Sequence, residues 1–334
     1  MARHKVAVTD FGSEELNVEK AILEPLGCEV VGPLRGGDAK DQAQLIALVK
    51  DADFVITQFS PVTAAVIESM RKSKIIVRYG IGVDNVDLKA AAARNIPVCN
   101  VPDYCIDEVA DHTLAMILDM TRKISVNAAL VKSGKWGLAV PLSALHVLSE
   151  MTVGIIGFGR IGREVASRLK PFRCTIVVFD PVVDASTVEA AGCIPVTLDE
   201  LLPSSDLVTL HCPSNDKTKY MMNSQTLGKM KAGAILVNTS RGTLVKTDDL
   251  AAALQSGHLS AAALDVTDPE PISPDNPLVK MDNVIINSHI ASGSVGAADK
   301  LRLGVARIVA LAVKGERLPN VVNGVSQRTR SPSR

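Results

Sequence analysis

The chain has 334 residues, with 36 Lys and Arg balanced by 36 Asp and Glu, so its formal net charge is zero and its isoelectric point lies near 7. That balance argues against a protein that binds nucleic acid by blanket phosphate neutralisation and against a polybasic membrane-surface protein. Hydrophobic residues make up 47% and mean hydropathy is +0.21, which excludes a disordered chain and, at this length, leads us to expect two domains.

Aromatic residues are only 3%, so the core has to be built from Ala, Val, Leu and Ile. No run approaches the roughly 18 apolar residues of a membrane helix. The first ten residues turn polar too soon for a signal-peptide core. Cysteines 28, 99, 105, 174, 193 and 212 are scattered without a Cys-x-x-Cys pair. We expect reduced thiols in a cytoplasmic protein and no metal site.

Short β-branched runs alternate with helical segments from the start. Strands are expected at 5–9, 28–31, 53–57, 75–78 and 97–100, each bounded by Gly, Pro or Asp. Such alternation implies parallel strands joined by helical crossovers, because a tight turn cannot close a parallel pair. One long helix is expected over 108–124, with Val109, Thr113, Met116, Ile117, Met120 and Ile124 on one stripe and Asp107 as N-cap. A Gly- and Pro-containing stretch follows, holding Trp136, which reads equally well as a buried aromatic or as part of an interface. A second series of strands is expected at 152–156, 175–179, 206–210, 234–238, 261–264 and 284–287, then a last helix over 295–313 and a frayed tail from 326. The fold class is α/β, with two doubly wound parallel sheets.

The sharpest motif is Gly157-x-Gly159-x-x-Gly162, directly after a strand and opening a helix, with Asp180 ending the next strand 18 residues beyond the last glycine. In that frame Gly157 turns the chain, Gly159 lets backbone approach a pyrophosphate, and Gly162 lets helix and strand pack closely. The helix N-terminus offers N–H groups and partial positive charge. Asp180 can accept hydrogen bonds from a ribose diol and would repel a 2′-phosphate, which favours NAD over NADP.

Ligands bind at the carboxyl ends of parallel strands, and three such ends carry charge here. Arg241 follows the strand at 234–238, Glu270 follows 261–264, and His289 follows 284–287. Arginine can clamp a carboxylate through two parallel N–H bonds. Histidine can give or take a proton near neutral pH, and a neighbouring glutamate favours its protonated form. The other histidines read as bland. His112 suits surface or interface packing, His4, His146 and His258 suit exposed positions, and His211 suits either a structural or an adenosine-side role.

With these stretches, and with 80–87, 210–213, 237–242, 263–266 and 289–291, the chain resembles the D-isomer-specific 2-hydroxyacid dehydrogenases over nearly all of 5–320. Residues 75–80 and 98–102 are similar to the subgroup holding the C-terminal-binding corepressors and phosphoglycerate dehydrogenase-like members. The resemblance implies a flavodoxin-like substrate domain and a Rossmann NAD-binding domain with a cleft between them. It places the first domain at 1–102 plus 291–334 and the second, as an insertion, at 103–290, with hinges near Asp103 and Ala291.

It also implies roles. Arg241 would hold the carboxylate and oxo group, His289 would be the acid/base, and Glu270 its partner. Arg160 and Ile161 would serve the pyrophosphate, Pro213 and Thr218 the adenosine side, Thr239 the nicotinamide end and Asp265 the carboxamide. Backbone N–H groups at Ile81 and Gly82 would bind the substrate carboxylate, with Arg78 as a further contact; Tyr104, beside the first hinge, could line the pocket. Residues 130–150 resemble the arm through which family members dimerise.

The implied activity is NAD-dependent interconversion of a small 2-oxo acid (glyoxylate, hydroxypyruvate or a phosphoglycerate-like acid) and its D-2-hydroxy acid. The alternative is a corepressor-like NAD(H)-sensing dimeric scaffold with weak or no turnover. A formate dehydrogenase is disfavoured, because its relatives pair the histidine with glutamine. One departure stands out: Ala291-Ser-Gly-Ser follows the histidine where many relatives have bulky aromatics, which implies a roomier pocket mouth.

Overall fold

The computed structural model describes residues 4–12 and 15–326. The chain divides into two compact units, 1–104 with 294–334 and 105–293.

The first unit holds β1 (His4–Val8), α1 (Asn17–Leu23), β2 (Cys28–Val31), α2 (Gln42–Val49), β3 (Phe54–Thr57), α3 (Ala64–Ser69), β4 (Ile76–Arg78), α4 (Leu88–Ala93) and β5 (Val98–Cys99). Its five strands are all parallel in the order 2-1-3-4-5, the flavodoxin-like arrangement. β3 and β4 are buried along their whole length, as central strands covered on both faces must be, and their Val and Ile side chains supply the core. The last helix of the chain, Val295–Lys314, packs against α1 and β4.

The second unit begins with α5 (Ile106–Arg122) and α6 (Ile124–Lys132), followed by β6 (Thr152–Ile156), α7 (Arg160–Leu169), β7 (Thr175–Phe179), α8 (Ala185–Ala190), β8 (Ile194–Pro195) and α9 (Leu198–Ser204). It ends with β9 (Leu207–Leu210), α10 (Ser224–Lys229), β10 (Ala234–Asn238), α11 (Thr247–Gln255), β11 (Leu259–Leu264) and β12 (Val284–Ile286); the C-terminal helix already described is α12. The parallel sheet runs 12-11-10-9-6-7-8, so the order reverses beside β6. Its register puts Ile286, Leu264, Asn238, Leu210, Ile156 and Phe179 in one level row at the carboxyl edge.

Each sheet has the same latch. Asp53, before β3, accepts the amide of Lys5 in β1 at 2.9 Å, and Asp206, before β9, accepts that of Thr152 in β6 at 2.8 Å. Lysines stand beside both, Lys72 and Lys231.

Several expectations are corrected. The long helix starts at Ile106 with Cys105 in the cap position, so Asp107 is not the N-cap; with Asp111 it binds Arg168 of α7 instead. The helix breaks at Lys123, whose φ of +54° is left-handed, so Ile124 opens α6 and stands 58% exposed rather than on the buried stripe. β8 carries no strand signal because it is two residues long and contains a proline, which only an edge position tolerates. Trp136 is 92% exposed, not buried. His4, His146 and His258 are half-buried: His4 lies edge-on to Phe54, His146 lines a hollow of about 420 Å³ with Arg122 and Asp206, and His258 bonds Leu227 O.

Candidate active site

The fingerprint loop is built as its glycines require. Gly157 has φ +96°, and a Cβ there would lie 2.5 Å from Cys212 N; at Gly162 it would lie 2.1 Å from Gly157 O. Gly159, at the N-cap of α7, has nothing within 4 Å of its Cβ position, and no side chain caps the helix. Two glycines are therefore forced by the protein's own packing, while the third borders open space at a helix N-terminus beside the sheet's switch point. Arg160 and Ile161 form the first turn there.

Asp180 is fixed by three amides. Its Oδ2 accepts from Phe158 N at 2.7 Å, and its Oδ1 from Val182 N at 2.8 Å and Val183 N at 3.1 Å. Oδ2 thus retains acceptor capacity for a hydroxyl. Past β9, on the other side of β6, Thr218 closes its loop by donating to Pro213 O at 2.7 Å. His211 is tied to Thr209 Oγ1 at 2.9 Å, and loss of water pushes its imidazole down to about 3, so it stays neutral through the physiological range. The donor-rich helix start, the unfilled space at Gly159 and the fixed carboxylate fit an NAD-type dinucleotide.

The charged strand ends lie on the adjacent strands β10, β11 and β12. Past β10, Asn238 Nδ2 donates to Arg241 O at 2.9 Å, and the Arg241 guanidinium donates to Ser240 O at 2.6 Å. Gly242 brings this loop against the one after β11: a Cβ there would lie 1.9 Å from Thr267 O. Past β12, His289 Nδ1 lies 2.7 Å from Glu270 Oε1. Burial pushes the Glu270 carboxyl up, but the His289 hydrogen bond and charge, a Thr267 backbone bond and the Arg241 charge outweigh it and hold the group below the usual carboxylate range.

His289 has a φ of +58°, uncommon for a residue with a side chain. Asp265 holds that conformation. Its carbonyl accepts from His289 N at 2.8 Å, and its carboxylate accepts from Ile290 N and Ala291 N, both at 2.9 Å. Thr239, 8% exposed, shares a 2.8 Å hydrogen bond with Thr113 of α5. His112, the residue before it, bonds Asn287 at 2.9 Å and lies 3.8 Å from Asp265, so it is more than a surface residue. From sequence, Thr113 belongs to a packing stripe and His112 to a surface or interface, and neither Asn287 nor Gly242 carries a role of its own. A threonine within an otherwise apolar stripe was the one available signal.

Arg78, Ile81, Gly82 and Tyr104 belong to the first unit. Arg78, at the end of β4, donates to Gln58 O at 3.2 Å with its guanidinium 5.6 Å from the Phe59 ring centre, and it lies against Gly80, where a Cβ would come 1.5 Å from Nη1. Asn100 supports the following loop by donating to Ile81 O at 2.6 Å. Tyr104 packs against the core between that sheet and α12.

An open parallel sheet with a dinucleotide fingerprint at its switch point is a Rossmann nucleotide-binding domain. Residues 114–291 match the family described as D-isomer specific 2-hydroxyacid dehydrogenase, NAD binding domain. The glyoxylate reductase of Korarchaeum cryptofilum is 37% identical over 86% of this chain and 88% of its own length. The D-3-phosphoglycerate dehydrogenase of Mycobacterium tuberculosis is 36% identical over 87% of this chain, which spans only 54% of that relative. The D-lactate dehydrogenase of Aquifex aeolicus, solved with NAD and lactic acid, superposes with a TM-score of 0.83 at 28% identity, covering 93% of this chain and 96% of that one. The chain belongs to the D-isomer-specific 2-hydroxyacid dehydrogenase family, and its cofactor is NAD.

Proposed function

We propose that this protein is an NAD-dependent D-2-hydroxyacid dehydrogenase that reduces a small 2-oxo acid. The observation that carries the reading is the 2.7 Å contact between His289 and Glu270, on a histidine backbone fixed by Asp265. When bound, the nicotinamide supplies or accepts the hydride at substrate C2. Protonated His289, with Nδ1–H donated to Glu270, gives its Nε2 proton to the oxo oxygen; in the reverse direction it takes that proton back. Arg241 clamps the carboxylate and stabilises charge on the oxygen, an electrostatic contribution typically worth about 3–4 kcal/mol.

Asp180 accepts from the adenosine ribose, the α7 N-terminus with Arg160 and Ile161 receives the pyrophosphate, and Pro213 and Thr218 border the adenosine. Thr239 and Asp265 stand at the nicotinamide end. Arg78, Ile81, Gly82 and Tyr104, all of the first unit, are proposed as substrate-binding residues. Glyoxylate, hydroxypyruvate and a phosphoglycerate-like acid are the candidate substrates, the first and last supported by the names of the relatives; the small residues after His289 do not select among them.

The protein works as a homodimer in this reading. Ile124, Val131, Trp136, Leu138, Leu142 and Val147 are 46–92% exposed within one short stretch, more apolar surface than a monomer's arm would present to water. All six cysteines are free thiols, which supports a cytoplasmic setting; no described helix is long and apolar enough to cross a membrane. A panel of 2-oxo acids with NADH tests the function. Turnover of a member of the panel is expected, and tight NADH binding without turnover would instead favour a cofactor-sensing scaffold.

A further inference from the structure

We infer that His112 is a positioning residue for the reaction, bracing through Asn287 and Asp265 the strained backbone that presents His289. The inference rests on the dehydrogenase reading above and adds to it a residue from a different element, the helix α5.

Three observations on one side of the sheet carry it. His289 sits in the left-handed region at φ +58°, a conformation that persists only where the surroundings over-determine it. The group that determines it is Asp265, whose carboxylate is 1% exposed and accepts both the Ile290 and Ala291 amides. His112 Nε2 lies 3.8 Å from Asp265 Oδ1, beyond hydrogen-bond reach but close enough to pair with the carboxylate's charge when the imidazole carries both protons.

The same His112 nitrogen lies 2.9 Å from the Asn287 side-chain amide, two residues before His289. Asn287 is itself anchored, its N–H donating to Leu264 O at 2.8 Å. An asparagine amide can present either its NH2 or its oxygen, so this bond survives whichever protonation state the imidazole adopts. His112 thus bonds the side chain that precedes His289 and stands beside the carboxylate that holds the amides after it.

The next residue of α5 repeats the device two strands over, past β10, since Thr113 Oγ1 lies 2.8 Å from Thr239 Oγ1. Two consecutive residues of one helix therefore brace the ends of β10 and β12, on either side of β11, where Thr239 and His289 stand. Thr113 also bonds back to Val109 O at 2.7 Å, which fixes its hydroxyl. Arg168 holds the first two turns of α5 to α7 through Asp107 and Asp111, so the brace stands on a fixed support.

The test compares His112→Ala with His112→Gln, whose amide can still bond Asn287. Removing the brace loosens a proton donor that must be placed to within a fraction of an ångström, so His112→Ala should lower kcat for 2-oxo acid reduction about tenfold, with the NADH Kd changed less than about twofold. His112→Gln should recover most of that loss. Amide hydrogen exchange at 290–291 should quicken in His112→Ala and not in the strands of the same unit. Unchanged kcat and exchange in His112→Ala would overturn the inference, and so would equal losses in both variants accompanied by weakened NADH binding and lowered Tm, which mark a merely structural role. Exchange does not depend on turnover: a wild-type protein that reduces no 2-oxo acid sinks the dehydrogenase reading, while faster exchange at 290–291 still supports the brace.

Discussion

Glu270 is held as a carboxylate below the usual range mainly against its own burial, by the hydrogen bond and charge of His289 and then by Arg241. Glu270→Gln keeps the shape and removes the charge paired with His289, so kcat for 2-oxo acid reduction should fall about tenfold or more while the NADH Kd changes little. An unchanged kcat would remove Glu270 from the pair. The three charged residues were legible because strand ends in a parallel sheet are where ligands bind, and each follows a short apolar run closely. The half-buried state of His4, His146 and His258, and the contacts of His112, were not. Each depends on what a distant segment places opposite, Phe54 for His4 and Asn287 for His112, and no local pattern encodes that.

The strand–turn–helix from β6 to α7 separates folding from binding among its own glycines. Gly162→Ala would drive a methyl into Gly157 O, where overpacking typically costs about 1–3 kcal/mol, so Tm should fall. Gly159→Ala meets no protein atom within 4 Å. It should fold with a near-normal Tm and bind NADH at least about tenfold more weakly, because the methyl occupies the space where backbone meets pyrophosphate. Calorimetry and fluorescence titration on the two variants check this, and weakened stability in both with equal binding would contradict it. This element was readable because glycine spacing, strand and helix agreed. The break between α5 and α6 was not, since Lys123 carries no helix-ending signal and adopts φ +54° without glycine's freedom. Nor was the start of α5, where Asp107 looks like a cap until Arg168 claims it.

At the scale of the molecule, the two sheets share one device, an aspartate before a central strand that accepts an amide at the start of its neighbour. Burial pushes Asp53 and Asp206 up. For Asp53 the Lys5 amide, Lys72 and His4 outweigh it, and for Asp206 Lys231 and the Thr152 amide do, so both carboxyls end below the usual range. A group depressed on folding contributes stability that is full above its unfolded value, about 3.9 for aspartate, and is lost as pH falls through the lower folded value. Asp206→Asn should therefore lower Tm most at neutral pH, with the deficit shrinking below about pH 4. A deficit that stays constant with pH would contradict the assignment. The parallel β-α order of both units was legible from alternating short strands, whereas the two-residue edge strand β8 had too little sequence to declare itself. The account as a whole turns on hydride delivery to C2 beside a proton from His289. NADH deuterated at both C4 positions, mixed with the protein and in turn with glyoxylate, hydroxypyruvate and phosphohydroxypyruvate, should yield from at least one of them a 2-hydroxy acid carrying one deuterium at C2, of D configuration for the two larger acids, by mass spectrometry and chiral separation; an L product, an unlabelled product or no product from any of the three would contradict it.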